Sequence, residues 1–226
     1  MDKKFLAAAL SIAITSLIVF HYMTAYFVQA NPRTVAYVAR VIDGDTLETS
    51  AGERVRLLGV NSPEVGQYYH DEAMNALKSL VENKSVEMEK DAVSRDRYNR
   101  LLRHVFVGNK FINLGLVRNG YAHAYIIAPN TRYSDEFRKA QEFARNNHLG
   151  IWKRSNYSSC VAISSFNYSD DNEFVQLGSS CGQIPLAGWA ITDESSSHVY
   201  KFANNSLQRM TVHSGFGIDN STDVFW

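Results

Sequence analysis

The run Val55-Arg56-Leu57-Leu58-Gly59-Val60 constrains the fold most, because it sets one arginine inside an otherwise apolar segment. A short apolar run reads as a buried strand, and Pro63 ends it. A guanidinium is permanently charged and almost never buried without a partner. Whatever fold forms must therefore bring a partner to Arg56. Just upstream, Ile42-Asp43-Gly44-Asp45-Thr46 places two carboxylates in a glycine turn at the end of another apolar run. We read the two stretches, the second extending to Glu64, as halves of one site.

The residue types suit phosphodiester chemistry. Asp45, Asn61 and the Ser62 backbone are hard oxygen donors of the kind calcium takes. Arg56 is a planar fork suited to a phosphate. Attack on a phosphodiester crowds negative charge around phosphorus, and water is a poor nucleophile. A cation and arginines answer the charge, and a carboxylate such as Glu64 can handle the water.

In chain order, residues 34–42 read as a strand, Gly44 as a tight turn into 46–49, and Ala51-Gly52-Glu53 as a second turn. Residues 55–60 form the third strand. Helical spacing covers 70–83, with Ala73, Ala76, Leu77, Leu80 and Val81 on one face. Strands follow at 85–89 and 101–107, then a short helix at 113–119 stopped by Gly120. Ser134 is the expected N-cap of a helix to about Asn147, with Asp135 and Glu136 in its first turn. Five short strands with three helices predict an α+β domain over 34–153, a small barrel of the oligonucleotide-binding type.

Near Ser155 serine and asparagine rise and helical periodicity vanishes. Short strands are expected at 161–163, 173–177, 188–191, 199–202 and 210–212, the pattern of an all-β immunoglobulin-like sandwich over 159–226, with Trp189 and Phe202 in its core. Net charge is zero overall, but it is unevenly placed. Up to Arg154 there are 21 basic and 16 acidic residues, a balance of +5; beyond it 2 and 7, a balance of −5. A basic first half suits a polyanion. The two cysteines, Cys160 and Cys181, both lie in the second half, where a disulfide of an exported protein and two free thiols are both open readings. No Cys-x-x-Cys or cysteine–histidine cluster points to zinc.

At the N-terminus, Lys3 and Lys4 precede an uncharged span of 28 residues, Phe5 to Pro32. Val28-Gln29-Ala30 has the character of a signal-peptide cleavage site. About 20 apolar residues suffice to cross a bilayer, so an uncleaved membrane anchor is the other reading of residues 1–30. Both expect the rest of the chain outside the cytoplasm.

Asp43-Gly44-Asp45-Thr46, together with Arg56-Leu57-Leu58-Gly59-Val60-Asn61-Ser62-Pro63-Glu64, resembles the staphylococcal nuclease (thermonuclease) family. The likeness continues through Asp96-Arg97-Tyr98-Asn99-Arg100, Leu116 to Gly120, Tyr125, Pro129-Asn130 and Gly150-Ile151-Trp152, covering about 35–153. The resemblance implies a calcium-dependent nuclease on a five-stranded barrel, cutting DNA and RNA to leave 3′-phosphates. It implies Asp45, Asn61 and the Ser62 carbonyl as calcium ligands, with Asp43 in support. It gives Arg56 and Arg100 the scissile phosphate, Glu64 the attacking water, and Tyr98 and Tyr125 the nucleotide pocket. The family's best-known members carry aspartate at the Asn61 position and glycine at the Asn99 position. Asn61 keeps the oxygen but removes a charge, so weaker calcium binding is expected. Asn99 can still take a left-handed turn.

The second half resembles a lamin-tail domain at Glu173 to Leu177, Leu186 to Ile191, Tyr200 to Phe202 and Ser214 to Gly217. That family's pattern runs past Trp226, so an incomplete copy with a binding or spacing role is expected. His70, His104, His123 and His148 show no triad or metal spacing and are expected at the surface or a pocket edge. A non-catalytic nucleic-acid or cell-surface binding module on the same barrel is the alternative function. Such a copy would usually lack Arg56, Glu64 or Arg100, and all three are present.

Overall fold

The computed structural model describes residues 12–22, 33–168, 173–192, 199–203, 205–214 and 223–225. The chain divides into two compact units, Met1–Ile151 and Trp152–Trp226. Residues 12–22 are helical. Among the described residues no helix is long and apolar enough to cross a membrane. The Val28-Gln29-Ala30 motif, and Gly215 to Gly217 of the lamin-tail pattern, lie outside the described residues.

The first unit is built on strands β1 (Thr34–Asp43), β2 (Thr46–Thr49), β3 (Arg54–Leu57), β4 (Gly59–Asn61), β5 (Ser85–Glu89), β6 (Leu101–Val107), β7 (Lys110–Phe111) and β8 (His123–Tyr125). Its helices are α1 (His70–Val81), α2 (Ile112–Arg118) and α3 (Ser134–Asn146). The sheet order is β3-β2-β1-β5-β6-β7, and a parallel β3–β6 pairing closes five of these strands into the expected barrel. Val38, Leu47, Val55, Leu57, Val86 and Val105 fill the interior from the strands. Leu77 and Val81 of α1, Leu116 and Val117 of α2, and Phe137 and Ala140 of α3 pack onto it. Fully burying a side chain such as Phe137 contributes about 1.5–3 kcal/mol.

The third strand is not continuous. It breaks at Leu58, and Gly59 takes φ 74°, a left-handed conformation open to glycine. A Cβ there would also run into the Phe137 ring. The bend frees residues 59–61 to pair with β8, Asn61 opposite His123 and Gly59 opposite Tyr125. A periodicity reading cannot see this break, because both halves are apolar.

Two further expectations are corrected. Ser134 is the first residue of α3, and Tyr133 occupies the cap position with no side-chain capping bond. The Tyr133 hydroxyl donates to buried Glu89 (3.1 Å), which also accepts from Arg132 (2.8 Å). His104 is not at the surface but 2% exposed, ringed by Phe111, Tyr133 and Phe137. Burial pushes its pKa down to about 4, against the pull of Asp91 and Glu89.

Among the described residues the second unit has only β-strands beyond the 3₁₀ turn that ends at Trp152, as the all-β reading expects. They are β9 (Val161–Asn167), β10 (Phe174–Ser179), β11 (Ile184–Pro185), β12 (Ala190–Thr192), β13 (Val199–Lys201), β14 (Ser206–Leu207), β15 (Arg209–His213) and β16 (Asp223–Phe225). One sheet has the order β16-β15-β10-β9, and β11–β14 and β12–β13 form ribbons. Ile184, Leu186, Phe202, Leu207, Met210 and Val212 form its core, with Trp189 packed against them. Cys160 and Cys181 are joined by a disulfide.

Candidate active site

The two stretches meet. β1 ends at Asp43, the chain turns at Gly44, and β2 begins at Thr46. A Cβ at Gly44 would lie 2.7 Å from Ser62 Cβ and 2.9 Å from Ala73 Cβ. Only glycine therefore lets the acidic turn press against Ser62 and α1. Asp43 Oδ1 accepts the Gly44 N–H at 2.6 Å and braces the turn.

Asp45 is 5% exposed, and both of its carboxylate oxygens have partners. Oδ1 accepts the Thr46 hydroxyl (2.9 Å); Oδ2 accepts the Ser62 N–H (3.0 Å) and faces Arg56 Nη2 (2.9 Å). This is the partner that a part-buried Arg56 requires. The same Nη2 donates to Asn61 Oδ1 at 3.2 Å, while Nη1 donates to the carbonyls of Leu57 (2.9 Å) and Val60 (2.6 Å). Breaking a buried pair of this kind costs about 3–5 kcal/mol, because the surviving charge is stranded. The β3–β4 bend is what curls the Val60 carbonyl and Asn61 back onto Arg56.

Ser62 Oγ, beside Asp45, is buried and has no hydrogen-bond partner among the described residues. An orphaned buried hydroxyl next to a carboxylate and a carboxamide fits an oxygen-rich cation site. Among the described residues no three His, Cys, Asp or Glu side chains gather as a metal cage. The oxygen set therefore depends on Asn61 and Ser62 as well as Asp43 and Asp45. Asp43 is half-buried, and its burial raises its pKa, as does the Asp45 charge; the Gly44 N–H, His70 and Arg56 pull it down by less.

Glu64 follows three residues after Asn61. Its N–H donates to Gln67 Oε1 (2.8 Å) and its carbonyl accepts the Gln67 N–H (2.9 Å), so a tight turn fixes its backbone. Its carboxylate has no hydrogen-bond or ion-pair partner among the described residues and is partly exposed. It is free to accept a proton.

Arg100 reaches the same sheet by another route. Leu101 and Leu102, which follow it, pair with Val55 and Arg56. Asp96 Oδ1 accepts the N–H groups of Tyr98 and Arg100 (2.9 Å each), and its Oδ2 accepts Arg100 Nε (2.7 Å). Asn99 sits at φ 63°, the left-handed turn expected of it. Burial raises the Asp96 pKa, but the Arg100 side-chain and backbone hydrogen bonds outweigh it and the net shift is downward. With Nε tied, both Nη nitrogens of Arg100 lack a hydrogen-bond partner among the described residues.

Tyr98 is 64% exposed, with the guanidinium carbons of Arg97 and Arg100 at 4.8 and 5.5 Å from its ring centroid. Tyr125 is 42% exposed and stands opposite Gly59, two residues from Asn61. Contacts thus bring together Asp45, Arg56, Asn61 and Ser62, with Asp43 in the adjoining turn, and they tie Arg100 to Tyr98. Cys160 and Cys181 belong to the second unit.

Two contributors had not been singled out from the sequence. His70 Nδ1 lies 2.9 Å from the Pro63 carbonyl, an acceptor only, so this nitrogen carries the proton; it is also 3.6 Å from Asp43 Oδ1. His70 ties the start of α1 to the turn between Ser62 and Glu64, and no spacing rule announces that. Asp96 had a readable signal, an Asp opening a turn with Asn99 three residues on.

A family model described as Staphylococcal nuclease homologue matches residues 54–154. Over 126 residues the chain is 37% identical to the thermonuclease of Staphylococcus intermedius, spanning 52% of this chain and 75% of that protein. It is 33% identical over 140 residues to the thermonuclease of Staphylococcus hyicus, spanning 58% and 82%. It is 36% identical over 129 residues to endonuclease YncB of Bacillus subtilis, of which it spans 61%, less than two thirds.

Proposed function

The chain belongs to the staphylococcal nuclease homologue family, and on that premise we propose that it is a calcium-dependent nuclease. It hydrolyses phosphodiester bonds of DNA and RNA and leaves 3′-phosphates. The observation that carries this reading is the convergence of Asp45 and Asn61 on Arg56, with the Ser62 N–H on the same Asp45 carboxylate and an unencumbered Glu64 three residues beyond Asn61. Asp45, Asn61 and Ser62, supported by Asp43, would hold the calcium ion, which when bound supplies positive charge to the phosphate oxygens.

Arg100 binds the scissile phosphate through its two open Nη nitrogens, in the forked geometry a phosphate matches. Arg56 contributes a fixed positive field beside it. Glu64 accepts a proton from water as the water oxygen bonds to phosphorus; the bond from phosphorus to the 5′ oxygen breaks, and that oxygen takes a proton. Tyr98 and Tyr125 hold the nucleotide. The basic first half draws the polyanion in.

We further propose an extracytoplasmic location, secreted or anchored by residues 1–30. The Cys160–Cys181 disulfide supports it, since such bonds persist in oxidising compartments. The second unit, a lamin-tail-like module by its motifs, would serve binding or spacing.

The purified protein incubated with single-stranded DNA should cleave it in calcium and stop in a chelator, and Glu64→Gln combined with Arg100→Ala should abolish cleavage. Cleavage indifferent to calcium or to those substitutions would sink the nuclease reading. Binding without cleavage would favour the non-catalytic module instead.

A further inference from the structure

The turn that positions Glu64 continues into two exposed apolar residues that catalysis does not use. Val65 is 82% exposed and Tyr68 is 64% exposed. Single exposed aromatics are ordinary on protein surfaces. This one differs in three respects.

First, the turn is rigid. Gln67 clasps Glu64 through its backbone and side chain, and the Tyr69 carbonyl accepts the Ala73 N–H of α1 (3.1 Å). Second, the rings form a row. Tyr68 lies 5.5 Å from Tyr69, which stacks at 5.9 Å on Tyr121. Third, the arrangement sacrifices local stability. Tyr69 occupies the N-cap of α1 at φ 71°, a left-handed conformation unfavourable for a bulky L-residue, with no side-chain capping bond. A serine or aspartate would cap the helix better. The strained tyrosine instead sets its half-buried ring between Tyr68 and Tyr121.

An exposed ring backed by others on a fixed turn next to a phosphate-binding centre is what an unpaired base stacks on, because every base presents a π-face. We propose that Tyr68, flanked by Val65 and backed by Tyr69 and Tyr121, is a stacking platform for an unpaired nucleobase on the Glu64 side of the scissile phosphate. Tyr98 is carried instead by the Arg100 turn, a separate element. The proposal rests on the nuclease reading and adds a preference for single strands, since a paired base has no free face to offer.

The test is equilibrium binding of a fluorescein-labelled ten-nucleotide oligothymidylate to the full chain carrying Glu64→Gln, in calcium. Adding Tyr68→Ala should weaken binding by roughly 5- to 150-fold, the range for one lost base stack. Tyr68→Phe keeps the ring and should bind within about twofold of the parent. A duplex containing the same tract should lose far less than the single strand. Tyr68→Ala binding as tightly as the parent, or Tyr68→Phe weakening as much as Tyr68→Ala, would overturn the platform. Wild-type protein that neither cleaves nor binds would overturn the nuclease reading and this one together. Intact cleavage with an indifferent Tyr68 overturns this one alone.

Discussion

Arg56 and Arg100 are the same side chain, introduced by two segments that pair in parallel, yet they are held in opposite ways. Arg56 is 15% exposed and spends both Nη nitrogens on Asp45, Asn61 and two carbonyls. Arg100 is 29% exposed and spends only Nε, on Asp96. One guanidinium is tied into the fold at both ends; the other is an open fork. Residue type alone gives both the same role, and the hydrogen-bond inventory separates them.

The largest effect should come from Arg56→Ala. It strands a buried Asp45, so the first unit should lose about 3–5 kcal/mol of stability together with its activity. Thermal unfolding checks the first part and oligonucleotide cleavage the second. Unchanged stability would mean that Arg56 is no more built in than Arg100. Arg100→Ala should give the complementary result. Cleavage should fall about 10²–10³-fold, the usual cost of one lost preorganised donor. The unfolding midpoint should fall only slightly, because Asp96 loses its part-exposed pair with the Arg100 side chain but keeps the N–H groups of Tyr98 and of residue 100. A large stability loss would erase the distinction.

A smaller effect concerns the carboxylates beside each arginine. Asp43 is shifted up by burial, whereas Asp96 is shifted down by Arg100 against its own burial. A depressed folded pKa means that ionised Asp96 stabilises the fold above its ordinary value of 3.8, a contribution lost as pH falls through the lower folded value. A raised folded pKa means that ionised Asp43 costs stability at neutral pH, a cost relieved as pH falls through the raised value toward 3.8. In a chelator at pH 7, Asp43→Asn should therefore raise the unfolding midpoint and Asp96→Asn should lower it. Shifts of the same sign would show that the two regions are not opposed.

The sequence disclosed one side of this contrast far better than the other. The strand and helix pattern made the barrel legible, and an arginine inside an apolar run announced that it needs a partner, but that Asp45 is that partner rather than only a cation donor shows in the hydrogen bonds alone. The break at Leu58 could not be read, because a bend between two apolar segments leaves the periodicity intact; it is enforced by the close approach of Phe137 to Gly59. His70 and His104 were equally silent. One meets Pro63 and the other a cage of rings only after the chain has folded, and neither contact follows a spacing rule. The capping preference of Ser134, about 1 kcal/mol, is not used: Tyr133 holds the cap position, with its hydroxyl on buried Glu89.

Asn61→Asp is the finest probe, since it alters the Arg56 side of the contrast by exchanging one amide nitrogen for oxygen. Arg56 Nη2 already sits 2.9 Å from Asp45 and 3.2 Å from Asn61 Oδ1. A carboxylate at residue 61 would place a second negative charge on the same nitrogen, with Asp43 in the adjoining turn. Without calcium that extra charge has one guanidinium to share, and the site should resist it. With calcium the added ligand charge should be favourable, because charge count sets affinity in oxygen sites. The calcium concentration for half-maximal cleavage should therefore fall, by about tenfold if the gain is near 1.4 kcal/mol, while Arg100-dependent steps stay as they are. A calcium requirement that is unchanged or higher would mean that Arg56 absorbs the new charge, leaving Asn61 a structural partner of the arginine and no ligand at all.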